Sequence, residues 1–429
     1  MKGIIKRNNL SGTIMVPGSK SHTIRAIMIA AMSGGKSVIK NPLRSEDCKS
    51  AINVAKAFGA KCELNEDEWI IEGVNGKLKL PDDIVDCGNS GTTTYIACSM
   101  AATIDGTTII TGDAQIRKRP IETLLKSINA TEATAFKTRP EIDAPPVVIT
   151  GPMKAGVIKL EGKISPQVSG VLLSAPLLEG TTEIIVEHPL EIPYVNMTLD
   201  WMYKQGVKVE HSEDYKKYVI NGPQKYNPVN SVIPSDWSGV AFPLIGAVMT
   251  NSHVTIDGVD FNDVQGDKGI VDVLISMGAD IIKDIENHKM IIRGGKPLHG
   301  VHVDCKNMPD TLPALTVIGA YASGQMKMTG LEVVRLKETD RVSVMQEELT
   351  KMGVDVEVGE DYIIIRGGKG LKGTEVESHD DHRVAMALMM AGLVAEGETK
   401  VNDIDCVNIS FPNFVNVINT IGANIEVLN

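Results

Sequence analysis

The stretch Ala385-Met-Ala-Leu-Met-Met-Ala-Gly-Leu393 carries apolar residues around the whole circumference of the helix that its composition predicts. A helix without a polar face has nothing to offer water and belongs in an interior. Ala26-Ile-Met-Ile-Ala-Ala-Met32 reads the same way. Each is followed by a glycine-led turn and a short strand-like run, Gly35-Lys-Ser-Val-Ile39 after the earlier one and Gly397-Glu-Thr-Lys-Val401 after the later one.

The same turn and strand return at Gly106-Thr-Thr-Ile-Ile110, Gly180-Thr-Thr-Glu-Ile-Ile185, Asn251-Ser-His-Val-Thr-Ile256 and Gly324-Gln-Met-Lys-Met328. A second helix and turn follow each, at Gly59-Ala-Lys-Cys62, Asn129-Ala-Thr131, Gly206-Val-Lys-Val209, Gly278-Ala-Asp-Ile281, Gly353-Val-Asp-Val356 and Gly422-Ala-Asn-Ile425. A spacing of roughly 70 residues marks an internal repeat of six units. The glycines suit helix C′ positions, where a positive φ is wanted. Helices inside and sheets outside reverse the layering of a doubly wound α/β fold.

The chain of 429 residues exceeds one comfortable core, so the six units divide into two domains of three. One crossover is expected near Pro17-Gly-Ser19 and the other in the Pro/Asn-rich stretch Asn221-Gly-Pro-Gln-Lys-Tyr-Asn-Pro228. This gives a discontinuous domain of residues 1–18 plus 232–429 and a second of residues 19–231, with the first strand pairing in the C-terminal half.

A net charge of −11 and an aromatic content of 4% argue against nucleic acid as partner. The six cysteines form no CxxC pair and no Cys/His cluster with zinc spacing, so no metal is expected. No apolar run is long enough to span a bilayer, and the start has no secretory h-region. The reading is a cytoplasmic protein, monomeric, with no membrane association.

Polar residues interrupt the apolar pattern where the helices begin. The segments are Pro17-Gly-Ser-Lys-Ser-His-Thr-Ile-Arg25, Asp86-Cys-Gly-Asn-Ser-Gly-Thr92, Lys163-Ile-Ser-Pro-Gln167, Pro234-Ser-Asp236, Asn307-Met-Pro-Asp310 and His379-Asp-Asp-His-Arg383. Ile116-Arg-Lys-Arg-Pro120 and the charged run Arg335 to Arg341 do the same at second helices. Ser21 and Thr92 are the expected N-caps. Helix N-termini favour anions, and cations gathered there suit a small anionic ligand in a cleft between the domains. The plain alternative is a set of capped, salt-bridged turns.

Taken together, Pro17-Gly-Ser-Lys-Ser21 with Arg25, Gly88-Asn-Ser-Gly-Thr92, Arg119-Pro120, Ser165-Pro-Gln167, Pro309-Asp310, Lys337-Glu-Thr-Asp-Arg341 and Asp381-His-Arg383 resemble the 5-enolpyruvylshikimate-3-phosphate synthase family, the 3-phosphoshikimate 1-carboxyvinyltransferases. The resemblance implies a two-domain inside-out α/β barrel of six βαβαββ repeats. It implies transfer of the enolpyruvyl group of phosphoenolpyruvate to the 5-hydroxyl of shikimate-3-phosphate, with no cofactor. By the same resemblance Lys20, Asp310 and Glu338 are catalytic. Lys20, Asn89, Gly91, Arg119, Gln167, Arg341 and Arg383 hold phosphoenolpyruvate. Ser21, Arg25, Ser165, Gln167, Tyr194, Asp310 and Lys337 meet the acceptor. Several positions depart from the pattern: Tyr95 stands where an arginine is usual, Pro166 and Glu191 where serines are, Ile409 where part of the family has lysine, and the first helix reads Lys20-Ser-His-Thr-Ile-Arg25. They motivate two further readings, a transferase for a different carboxylate-bearing acceptor and a non-catalytic anion-binding relative.

Overall fold

The computed structural model describes residues 1–428. Among them are twelve α-helices: α1 (Lys20–Met32), α2 (Glu46–Ala57), α3 (Gly91–Ala101), α4 (Glu122–Asn129), α5 (Ser165–Ser174), α6 (Ile192–Lys204), α7 (Trp237–Met249), α8 (Ile270–Ser276), α9 (Leu312–Tyr321), α10 (Arg341–Lys351), α11 (His382–Gly392) and α12 (Phe414–Thr420). The strands make six four-stranded sheets. The odd-numbered helices are the apolar ones: every residue of α7 and of α11 is buried. The even-numbered helices are amphipathic. In α10 the buried residues are Arg341, Val342, Met345, Glu348 and Leu349.

Each repeat runs strand, odd helix, strand, even helix, hairpin. In one of them Val85–Asp86 lies parallel to Gly106–Thr111, which pairs antiparallel with Val147–Gly151, which in turn pairs with Thr134–Lys137. Alternation sets the faces of each sheet. In Gly180–Val186, for example, Thr182, Ile184 and Val186 point inward. The fold is therefore an α/β architecture of βαβαββ repeats with helices inside and sheets around them.

Two exchanges depart from strictly sequential supply. Lys2–Lys6 completes the last sheet, with Ile4 opposite Lys400 and Glu426. Ser11–Met15 pairs parallel with His253–Asp257, while Asn230–Val232 pairs parallel with Gly34–Lys40. The chain divides into two compact units, Met1–Pro17 with the segment from Pro234 onward, and Gly18–Ile233.

The turn glycines adopt the positive φ that their C′ positions require; Gly59 has φ +99° and Gly353 +85°. A second glycine series escapes the sequence reading. Gly73, Gly151, Gly222, Gly294 and Gly367 close the last strand of five repeats, where the backbone abuts the end of the odd helix. A Cβ there would lie 2.0–2.4 Å from a carbonyl oxygen in or just beyond the helix end, at Ala247 for Gly294, Gly319 for Gly367 and Leu178 for Gly222.

The capping expectation needs correction. α1 begins at Lys20, which puts Ser21 inside the first turn with Ser19 at the N-cap. α3 begins at Gly91, and the Ser90 hydroxyl accepts the Thr93 N–H at 3.3 Å, so Thr92 is helical. Among the described residues no helix is long and apolar enough to cross a membrane.

Candidate active site

In the unit that contains the C-terminal repeats, three helix starts supply a charged cluster. The single turn Pro309–Thr311 ahead of α9 carries Asp310. α10 opens on Arg341, capped by Asp340, whose carboxylate accepts the N–H groups of Val342 and Ser343. α11 follows Asp381, whose carboxylate accepts the Arg383 N–H at 2.9 Å. The charged run thus splits: Asp340, paired with Arg335 at 2.8 Å, is a structural cap, while its neighbours Lys337, Glu338 and Arg341 face the cluster.

The Arg341 guanidinium is fully buried and meets three carboxylates. Nε lies 2.7 Å from Asp381 Oδ2 and Nη2 3.2 Å from Asp381 Oδ1, a bidentate grip. Nη2 also lies 2.6 Å from Glu338 Oε2, and Nη1 2.8 Å from Asp310 Oδ1. Asp310 Oδ2 forms an ion pair with Arg383 Nη2 at 3.0 Å, and Lys337 Nζ stands 3.8 Å from Oδ1. Burial alone would raise the Asp310 pKa, but Arg383, Lys337 and Arg341 outweigh it and hold the carboxyl well below its ordinary value. Burial works against the Arg341 charge, and Asp381, Glu338 and Asp310 more than restore it, raising its pKa above the usual value. Asp381 is the member that the sequence reading left out; an Asp ahead of an apolar helix looks like a cap and nothing more.

In the unit Gly18–Ile233, Lys20 pairs with Asp47 at 2.9 Å, both side chains nearly buried. Five residues on along α1, Arg25 faces α5 and α6. Its Nε donates to Thr198 Oγ1 at 2.8 Å and its Nη2 to the Tyr194 carbonyl at 3.1 Å and Ser169 Oγ at 3.2 Å. Nη1 donates to the Ser21 carbonyl at 3.0 Å, so Ser21 supports Arg25 through its backbone. Burial brings the Arg25 pKa down to about 10, with Tyr194 and Glu191 opposing.

At the head of α5 the Ser165 N–H and hydroxyl both donate to Glu191 Oε2, at 3.2 and 2.8 Å. Glu191 is buried and left-handed, at φ +51°. Gln167 accepts from Thr123 Oγ1 at 2.7 Å and donates to the Pro120 carbonyl at 3.3 Å; the Tyr95 hydroxyl donates to that same carbonyl at 3.0 Å. Tyr95 and Gln167 thereby fix the segment that carries Arg119. Burial, with Arg119 opposing, pushes the Tyr95 phenol well above its ordinary value. Asn89 donates to Asp113 Oδ2 at 2.6 Å, and Asp113 Oδ1 accepts the N–H groups of Gln115 and Ile116. That carboxylate ties the loop ahead of Gly91 to the turn leading to Arg119.

Further along α10, ligand atoms of Glu347, Glu348 and, from the turn ahead of α11, His379 fall within 4.8 Å of one another. The Lys351 ammonium stands 2.9 Å from Glu347 and 2.8 Å from Glu348 and supplies a positive charge to these carboxylates.

The sequence matches, over residues 4–418, the family described as EPSP synthase (3-phosphoshikimate 1-carboxyvinyltransferase). A 3-phosphoshikimate 1-carboxyvinyltransferase of Acetivibrio thermocellus is 42% identical over 422 residues, covering 98% of each chain. One of Methanocaldococcus jannaschii is 41% identical over 427 residues, again covering 98% of each. Among solved structures, EPSP synthase from Acinetobacter baumannii superposes with a TM-score of 0.84 at 31% identity, covering all of both chains. The chain belongs to the EPSP synthase family.

Proposed function

We propose that this protein transfers the enolpyruvyl group of phosphoenolpyruvate to the 5-hydroxyl of shikimate-3-phosphate and releases phosphate. The observation that carries the reading is Asp310, a carboxylate among Arg341, Arg383 and Lys337 in a member of this family. Such a set binds an anionic donor and keeps a base beside it.

In the reaction, Asp310 takes the proton of the acceptor hydroxyl as its oxygen bonds to C2 of phosphoenolpyruvate. C3 takes a proton from Glu338 or Lys20. The tetrahedral adduct then gives back a C3 proton, the C2–O bond to phosphate breaks, and the enol ether remains. Arg341, Arg383, Arg119 and Gln167 hold the donor, with Asn89 and the backbone at Gly91. Arg25, Ser21, Ser165, Tyr194 and Lys337 serve the acceptor.

A base held low by three cations is weak. Anionic phosphoenolpyruvate on the same cations offsets their field, so donor binding itself raises the proton affinity of Asp310. This favours an order in which the base gains strength as the donor arrives.

The six cysteines are free thiols, consistent with a reducing cytoplasm. The enzyme is proposed to work as a monomer on two small anions.

The test is phosphate release from phosphoenolpyruvate with and without shikimate-3-phosphate. Release that depends on shikimate-3-phosphate is expected. Phosphoenolpyruvate binding with no release under any acceptor concentration would overturn the reading.

A further inference from the structure

Seven residues along α10 from Arg341, two turns and about 10 Å away, the same face presents Glu348, a carboxylate with no exposed surface. Its Oε2 accepts the Glu377 N–H at 3.1 Å, and its Oε1 meets His379 Nε2 at 2.7 Å and Lys351 Nζ at 2.8 Å. Glu377 and His379 belong to the turn that ends in Asp381, the residue that grips Arg341. α10 and this turn are therefore joined twice, by Arg341 to Asp381 and by Glu348 to Glu377 and His379.

Between the two joints the turn runs through His379 at φ +54° and Asp380 at φ +59°. Side-chain-bearing residues hold such a conformation only where their surroundings over-determine it. Ser378 contributes from the other side, accepting the Asp380 N–H at 3.2 Å and donating to the Asp403 carbonyl at 3.0 Å. An apolar residue at position 348 would pack α10 without the desolvation of a charge; a buried ion pair adds little net stability over one. What a carboxylate adds is direction, because its two oxygens accept from two fixed points of the turn.

We propose that Glu348 and His379 are positioning residues for the proposed enolpyruvyl transfer, fixing the turn 377–381 so that Asp381 holds Arg341 in line for the donor. This rests on the functional reading above. Neither residue touches substrate; both act through Asp381 and Arg341. The Lys351 ammonium completes the charge of the set, so no metal is needed for this role.

The experiment compares wild type, His379→Ala, His379→Gln and Glu348→Gln by steady-state kinetics and thermal melting. His379 is partly exposed, so its variants test the idea even if Glu348→Gln fails to fold. His379→Ala is expected to lower kcat/KM for phosphoenolpyruvate about ten- to a hundredfold, the scale of a small misplacement in a reacting site. KM for shikimate-3-phosphate should change less. His379→Gln keeps an N–H donor for Glu348 and should recover most of the loss. Wild-type kinetics in His379→Ala would overturn the proposal, as would a loss that glutamine does not recover or that merely follows melting temperature. Should the wild type show no acceptor-dependent release, the functional reading fails separately. Calorimetry with phosphoenolpyruvate then decides the positioning role: binding at least tenfold weaker in His379→Ala supports it, and equal binding overturns it.

Discussion

Arg341 and Arg25 are both arginines with almost no exposed surface, and the molecule treats them in opposite ways. Arg341 meets three carboxylates and its pKa rises. Arg25 donates to two hydroxyls and two carbonyls and its pKa falls to about 10. Identical chemistry at identical burial gives opposite shifts because neutral acceptors satisfy hydrogen bonds without repaying the desolvation of a charge. Arg341 is part of a self-balanced set. Arg25 is oriented but electrostatically under-compensated, so it has more to gain from an anion brought beside it. On the proposed function, that anion is the acceptor's carboxylate.

The largest expected effect comes from breaking the balanced set at its base. Asp310→Asn preserves shape and removes both the proton acceptor and one charge. Turnover should fall by about a thousandfold, within the range for losing a general base, as read by phosphate release at saturating substrates.

The next separates the two arginines directly. Arg341→Lys leaves the buried Asp381 without its bidentate partner, and stability should drop by about 3 kcal/mol. Arg25→Lys loses hydrogen bonds to neutral oxygens and should cost about 1–2 kcal/mol. Urea unfolding measures both; equal costs would mean that the carboxylates around Arg341 do not set its energetics.

This contrast was only partly open to sequence. The apolar circumference of Ala385 to Leu393 and the glycine period carry the layering, because burial and helix termination are local properties. The resemblance gathers Asp310, Lys337, Glu338, Arg341 and Arg383, and the geometry brings these five within one cluster. Strand exchange is invisible locally: nothing in Ser11–Met15 says that its neighbour is His253–Asp257. Strands as short as Val85–Asp86 leave no periodicity to detect. Glu348 hides as half of an ordinary i,i+3 pair with Lys351, and only burial separates it from surface pairs such as Glu46 with Lys49. Glu191 stands out in the sequence as an odd residue, yet its contact with Ser165 depends on a left-handed backbone that glutamate seldom adopts.

That contact gives a smaller prediction on the Arg25 side. Glu191 occupies the Ser165 N–H and hydroxyl that an anionic substituent of the acceptor would use on the proposed function. Glu191→Ser should lower KM for shikimate-3-phosphate about threefold to tenfold, the equivalent of roughly 1 kcal/mol, while KM for phosphoenolpyruvate stays put. A rise in the acceptor's KM would instead make Glu191 a support of the pocket.

The smallest effect concerns charge at the back of the turn that carries Asp381. Asp403 accepts a hydrogen bond from, or donates one to, the Asp380 carboxyl; that bond, then burial and the charge of Asp380, push its pKa up to about 6, with the Met1 amino group opposing. The folded state therefore binds this proton more tightly than the unfolded chain, whose aspartates titrate near 4. The stabilisation is complete below the unfolded value and is lost as pH rises through about 6. Both residues are exposed, so solvent and salt screen the repulsion that remains at neutral pH. Asp403→Asn keeps a hydrogen-bonding partner for Asp380 and removes the titration. Its melting temperature should vary less than that of wild type between pH 4 and pH 7, with the gap between the two proteins narrowing in high salt. Parallel pH profiles would mean that the carboxyl pair does not share a proton, and the turn would then be held by the contacts of Ser378, Glu348 and Asp381 without it.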